Sequence, residues 1–146
     1  MAPRSYTEMF FLDEATALAA GHRPCATCRR DRYRIFTALW AQVHGAPHAG
    51  TPLPKEIDKT LHAARIKRGE KVTFQADFET LPDGVIVESA GDPHLKWRGK
   101  AFAWSLDGYA QLPTVLIGQV TVLTPEPLTA VLQAGYAPET HPSLPV

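Results

Sequence analysis

The chain has 146 residues, 45% of them apolar and 21% charged, with acidic and basic side chains in equal number. That length supports one domain with a real core, and that mix is globular rather than disordered; zero formal charge excludes a global pull toward nucleic acid, so any basic site has to be local. No apolar run approaches the ~20 residues of a membrane span and no signal-peptide pattern opens the chain, so a cytoplasmic protein with no membrane partner is expected.

Residues 6–12 (YTEMFFL) are aromatic and apolar enough for a short strand. Asp13 then caps a helix from Glu14 to Ala20, and Gly21 supplies its left-handed stop. A second helix is expected from Arg29 to His44, where Ile35, Phe36, Leu39, Trp40 and Val43 recur at helical spacing and give a broad apolar face. Trp40 and Val43 should anchor its far end. Residues 45–54 (GAPHAGTPLP) read as loop. Pro54 suits the first turn of a third helix, Lys55 to Ile66, with Ile57, Leu61 and Ala64 facing in and the chain leaving through Lys67-Arg68-Gly69.

The pattern then changes from helical to alternating. Val72, Phe74 and Ala76 alternate with Thr73 and Gln75, as in a half-buried strand. A turn at residues 81–84 leads into Val85-Ile86-Val87, and residues 95–97 and 101–104 look like hairpin arms around Arg98-Gly99. Another strand is expected from Thr114 to Leu123, followed by a short helix opened at Thr124-Pro125-Glu126-Pro127 and closed by Gly135. The tail from Ala137 is proline-rich and expected to lie extended on the surface. Helices first and strands afterwards make the fold class α+β, in a single domain. Residues 1–45 form its front half, 54–136 a helix with a small, mostly antiparallel sheet, and 137–146 the tail.

Both cysteines stand at one place, in Gly21-His22-Arg23-Pro24-Cys25-Ala26-Thr27-Cys28-Arg29-Arg30, beside the densest run of positive charge. Two thiols two residues apart can share one soft cation, and zinc is the expected metal. The helix start at Cys28, with Arg29 and Arg30 beside it, favours the thiolate form that such a metal requires. Zinc in a structural site needs two further ligands. His22 is the nearest candidate, with His44, His48 and His62 behind it, though a hydrogen-bonded or exposed histidine is the plainer reading of each. Thioredoxin-like redox chemistry lacks its usual setting, because no strand–helix–strand unit surrounds the pair.

The stretch Ala20-Gly21-His22-Arg23-Pro24-Cys25-Ala26-Thr27-Cys28-Arg29, after a short Ala-rich helix, resembles the second half of the Ada-type metal-binding domain of bacterial methyl-phosphotriester DNA repair proteins. The chain as a whole also resembles a family of bacterial proteins sharing FFLDEA, AGHRPC and CRR, a likeness that implies no activity. The Ada-type resemblance implies that Cys25 and Cys28 are metal ligands and that Arg29 and Arg30 contact nucleic-acid phosphate; Arg23, in the same basic cluster, is a further phosphate candidate or simply pins the knuckle. It does not imply methyl transfer: the Ada-type site uses four cysteines, its methyl acceptor belongs to the earlier pair, and this chain has only the later one. The knuckle is thus expected to be incomplete, with an extension upstream of Met1 as the source of the missing ligands.

Arg23, Arg29, Arg30, Arg32 and Arg34, offset nearby by Asp31, form the strongest basic cluster; a second lies at Arg65, Lys67, Arg68 and Lys71. Arginines at a helix start suit phosphate, though a solvated helix face is the commoner explanation of such a run. Asp58 and His62, four apart on the third helix, have the spacing of a general-base pair and also that of an ordinary side-chain contact. Trp40, Trp97 and Trp104 read as core. Three functions follow: a zinc-associated, non-catalytic accessory module near nucleic acid; a nuclease-like hydrolase using His62 and Asp58; or a protein-interaction domain in which the knuckle is only architecture.

Overall fold

The computed structural model describes residues 13–24, 30–45, 54–67, 70–105, 107–110 and 112–144, with 65–67, 70 and 71 described for their backbone alone. The strand expected at residues 6–12 lies outside them. The fold is α+β: helices α1 (Glu14–Ala19), α2 (Arg30–His44), α3 (Pro54–Arg65) and α4 (Glu126–Gln133) pack around an antiparallel sheet. That sheet comprises β3 (Phe74–Asp77), β4 (Ile86–Ser89), β5 (Asp92–Trp97), β6 (Lys100–Ser105), β7 (Gly108–Tyr109) and β8 (Gln119–Val122), in the order β3-β8-β4-β5-β6-β7. Two further strands, β1 (Ile66–Lys67) and β2 (Glu70–Lys71), pair with each other directly after α3. The third helix, expected from Lys55 to Ile66, runs from Pro54 to Arg65, and Ile66 and Lys67 pair instead with Lys71 and Glu70.

Local chemistry explains most of these elements. Asp13 caps α1 by accepting hydrogen bonds from the Thr16 N–H at 2.9 Å and the Thr16 hydroxyl at 2.8 Å. The hairpin β5–β6 turns on Arg98 and Gly99, both at positive φ (53° and 76°), the backbone required by the tightest two-residue turn. Ala90 and Gly91 (53° and 83°) turn β4 into β5 in the same way. Ala90 lacks the residue chemistry that usually announces such a turn.

The sheet buries both faces. Successive residues of a strand point to opposite sides, and Val85 and Val87 enter one cluster while Ile86 enters another. The larger cluster gathers Phe36 and Trp40 of α2, Ile57 and Leu61 of α3, and Leu128, Val131 and Leu132 of α4 against Val120 and Val122. The smaller one packs Ala15 and Ala19 of α1 against Leu95, Phe102, Tyr109, Leu123 and the tail residue Leu144. Trp97 and Trp104 flank this second cluster, half-buried.

Three expectations are corrected. The apolar face of α2 is narrower than its sequence suggests: Phe36 and Trp40 are buried, but Ile35 and Val43 are exposed because the sheet and α4 reach only one side of the helix. The strand expected from Thr114 to Leu123 is confined to Gln119–Val122 plus an isolated bridge between Thr114 and Ala101. Between them the chain crosses from the outer side of β6 to the neighbour of β3 and cannot stay in one ladder. The tail, expected to lie extended on the surface, is exposed over much of its length but is pinned: Pro138 and Leu144 are buried, and the Glu14 N–H of α1 donates to the Glu139 carbonyl.

Candidate functional site

The cysteine segment joins α1 to α2, and both of its flanks are built firmly. Helix α1 ends with Gly21 N–H on the Leu18 carbonyl and His22 N–H on the Ala17 carbonyl, each at 2.9 Å, with Gly21 at φ 90°. This paired closure, allowed by a glycine's freedom at positive φ, satisfies two end carbonyls and fixes the direction in which the chain leaves. Arg23 follows. Its Nε donates to Asp58 Oδ1 at 2.8 Å, one terminal nitrogen to Asp58 Oδ2 at 3.2 Å and the other to the Pro24 carbonyl at 2.9 Å. The guanidinium also lies over the Tyr33 ring, 5.4 Å from its centroid. Pro24 is buried.

Cys25, Cys28 and Arg29 lie outside the described residues, as does His48. On the far side, α2 begins at Arg30. Arg30 and Arg34 are exposed one turn apart, and neither guanidinium has a hydrogen-bond or ion-pair partner among the described residues. Arg32 behaves differently: its guanidinium donates to Glu14 Oε1 at 2.5 Å and to the Ala137 carbonyl at 2.6 Å, and sits 4.9 Å from the Tyr136 ring centroid. Burial alone would lower the Arg32 pKa, but Glu14 and Tyr136 together outweigh it and raise it above its ordinary value. Sequence position grouped Arg23 and Arg32 with the phosphate-ready arginines; geometry engages both with carboxylates.

The Glu14 carboxylate is the centre of this second arrangement. Besides Arg32 it accepts from the Tyr136 hydroxyl at 2.6 Å and from the Glu139 N–H at 2.8 Å. Asp13, its neighbour, accepts from the Tyr109 hydroxyl at 2.8 Å and the His141 N–H at 2.9 Å. The start of α1 is therefore clamped to α2, to β7 and to the tail. Sequence reasoning found Asp13 as a cap and missed Glu14 altogether. Its only signal was an acidic residue in a first helical turn, which the helix dipole explains without partners from the other end of the chain.

The remaining candidates disperse. His22 is exposed at the edge of the cysteine segment. His44, at the other end of α2, bonds the Pro127 carbonyl through Nε2 at 3.0 Å and lies tilted against Trp40, ring centroids 4.4 Å apart. Asp58 and His62 share an exposed side of α3, but both Asp58 oxygens are taken by Arg23. Among the described residues no three His, Cys, Asp or Glu side chains converge as metal ligands, so they add no ready-made site to the thiol pair. No helix among them is long and apolar enough to cross a membrane. No family model, curated protein or solved structure matches the chain.

Proposed function

We propose that the protein is a non-catalytic accessory module that holds a soft divalent metal, zinc, through Cys25 and Cys28 and contacts nucleic-acid phosphate with Arg29 and Arg30. The observation that carries this reading is the anchoring of both flanks of the thiol pair: Arg23 is tied to Asp58 at 2.8 and 3.2 Å, and Arg32 to Glu14 at 2.5 Å. A connection held at both ends limits how far its two sulfurs can separate, which lowers the ordering entropy that a metal has to offset. Zinc would require the thiolate form and would couple the local fold to pH. His22, at the edge of the segment, is the nearest further donor.

The hydrolase reading has less support, because Asp58, which would orient His62 as the base, accepts from Arg23 with both oxygens. Phosphate contact is supported by the exposed Arg30 and Arg34 in the first turns of α2, without partners among the described residues, where the helix contributes its own partial positive charge. With a neutral chain behind it, this patch gives weak, sequence-insensitive and salt-sensitive binding. Binding to a duplex across a salt series tests it. Replacing Arg29 and Arg30 together by Ala should reduce the slope of log affinity against log salt by about two units if each contacts one phosphate. Equal slopes would return both residues to the solvated helix face.

A further inference from the structure

Residues 137–144 are held chiefly by their backbone, and only Pro138 and Leu144 among them are buried. The Arg32 guanidinium donates to the Ala137 carbonyl at 2.6 Å. The Glu14 carboxylate accepts from the Glu139 N–H at 2.8 Å, while the Glu14 N–H donates to the Glu139 carbonyl at 3.1 Å. Asp13 accepts from the His141 N–H at 2.9 Å. Main-chain groups at 137, 139 and 141 are thus taken at every second residue, the mode in which an extended peptide is recognised. Two glycines shape the floor. A Cβ on Gly84 would lie 2.9 Å from Pro138 Cγ, and one on Gly108 2.5 Å from Ser143 Oγ, so the tail comes closest where a side chain is missing. Leu144 ends the run inside the smaller core cluster.

The groove is built without this segment. Glu14 is also held by Arg32 and the Tyr136 hydroxyl, and Asp13 by the Tyr109 hydroxyl and the Thr16 N–H. Tyr136 belongs to the larger core cluster and meets Phe36 edge-on, ring centroids 5.6 Å apart. A site whose charges keep these partners needs little reorganisation to release one segment and accept another. The segment itself has few buried apolar contacts and several bonds near the surface, the marks of a part that opens below the free energy of global unfolding.

The chemistry of the groove states what it takes. Its two carboxylates accept backbone N–H groups and repel phosphate, so the ligand is a peptide and not a nucleic acid. Prolines at 138, 142 and 145 restrict the free tail, which lowers the ordering cost of docking. We infer that residues 137–144 are a ligand in cis: they open as a unit from a peptide-recognition groove lined by Asp13, Glu14, Arg32, Gly84 and Gly108. An extended peptide with the tail's spacing of proline and leucine takes their place in trans. The inference stands apart from the metal reading.

Amide exchange of the intact wild-type chain tests the opening. The Glu139 and His141 N–H groups should exchange together and about 100-fold faster than those of Leu123 and Lys96, which donate to the Ile86 and Val85 carbonyls at 2.9 Å. A common rate for all four would make the tail part of the global fold and overturn the inference. Recognition in trans is read with a fluorescent synthetic peptide of residues 137–146. In the wild-type chain the cis tail competes at the high effective concentration of a tethered segment, so the peptide binds weakly. In a Leu144→Asp chain, whose own tail cannot bury the new charge, the peptide should bind at least ~10-fold more tightly. The peptide carrying the same substitution should not bind. Equal affinity for the two chains, no binding to the variant, or binding of the substituted peptide each overturns the inference. So does a Leu144→Asp chain that loses protection at Leu123 and Lys96, because the tail would then be needed for folding.

Discussion

Two arginine–carboxylate pairs stand on either side of the cysteine segment, and they differ in nearly everything except their chemistry. Arg23 with Asp58 is a two-point pair whose aspartate side chain is 55% exposed. Arg32 with Glu14 places its carboxylate at 4% exposure and surrounds it with a tyrosine hydroxyl and a backbone N–H from the tail. Water competes for the first pair and screens it, so its contribution to stability is under ~1 kcal/mol. In the second, removing the acceptor leaves several donors short of partners at once. The first pair is a tether that orients a short stretch of chain; the second is a clamp that closes the molecule by joining residue 14 to residues 136–139.

The largest expected effect breaks the clamp. Glu14→Ala should destabilise the fold by about 3 kcal/mol, since an arginine, a phenol and an amide lose their common acceptor. Chemical denaturation measures it, and a cost below 1 kcal/mol would mean that water replaces the carboxylate freely.

A smaller effect concerns the tail's close approach to β7. A Cβ on Gly108 would lie 2.5 Å from Ser143 Oγ, at a φ of 140° that side chains rarely adopt. Gly108→Ala should therefore cost about 2 kcal/mol and loosen the tail, visible as faster amide exchange at Tyr109, whose N–H donates to Ser143 Oγ at 2.8 Å.

Tyr136 and Tyr109 sharpen the comparison through pH. Burial, and then the neighbouring Glu14 and Asp13 carboxylates, raise both phenols above their ordinary value. The unfolded chain thus releases these protons first as pH rises. The stability they confer is complete below pH ~10 and declines above it. Burial lowers the Lys96 ammonium, which gives a trend of opposite sign over the same range. Tyr136→Phe with Tyr109→Phe should flatten the alkaline decline while costing about 1 kcal/mol per hydroxyl at neutral pH. An unchanged alkaline limb would place the titration elsewhere.

The smallest effect belongs to the tether. Arg23→Ala should change stability by less than ~1 kcal/mol, yet weaken metal binding measurably, because its work is orientation. Equal losses in both would make it a second clamp.

What the sequence made legible follows from the range of each interaction. The Asp13 cap, the Gly21 stop, the Arg98-Gly99 turn and the Pro125–Gly135 helix are decided within a few residues, and all appear where expected. The clamp was invisible because Glu14 and Glu139 are far apart in the chain, and nothing local distinguishes a buried acid from a solvated one. The same applies to Lys96. Its ammonium is buried against the Phe78 and Leu81 carbonyls at 2.8 and 2.5 Å, although lysine in a strand normally marks the solvent face. Arg23 and Arg32 looked like members of one basic patch because sequence shows proximity along the chain and not the carboxylates opposite. At the candidate site, then, the thiol pair is read from the sequence alone, and the division of the arginines comes only from the fold.

The central claim is that the two sulfurs between these anchored flanks share one metal ion. Zinc titration of the reduced 146-residue chain tests it most directly, with bound metal and released protons counted together against a Cys25→Ser, Cys28→Ser variant. The account predicts a saturable site of one zinc per chain, accompanied by proton release and absent from the double-serine variant. Zinc uptake that is identical in the two proteins, or no uptake by the reduced wild-type chain, would contradict it.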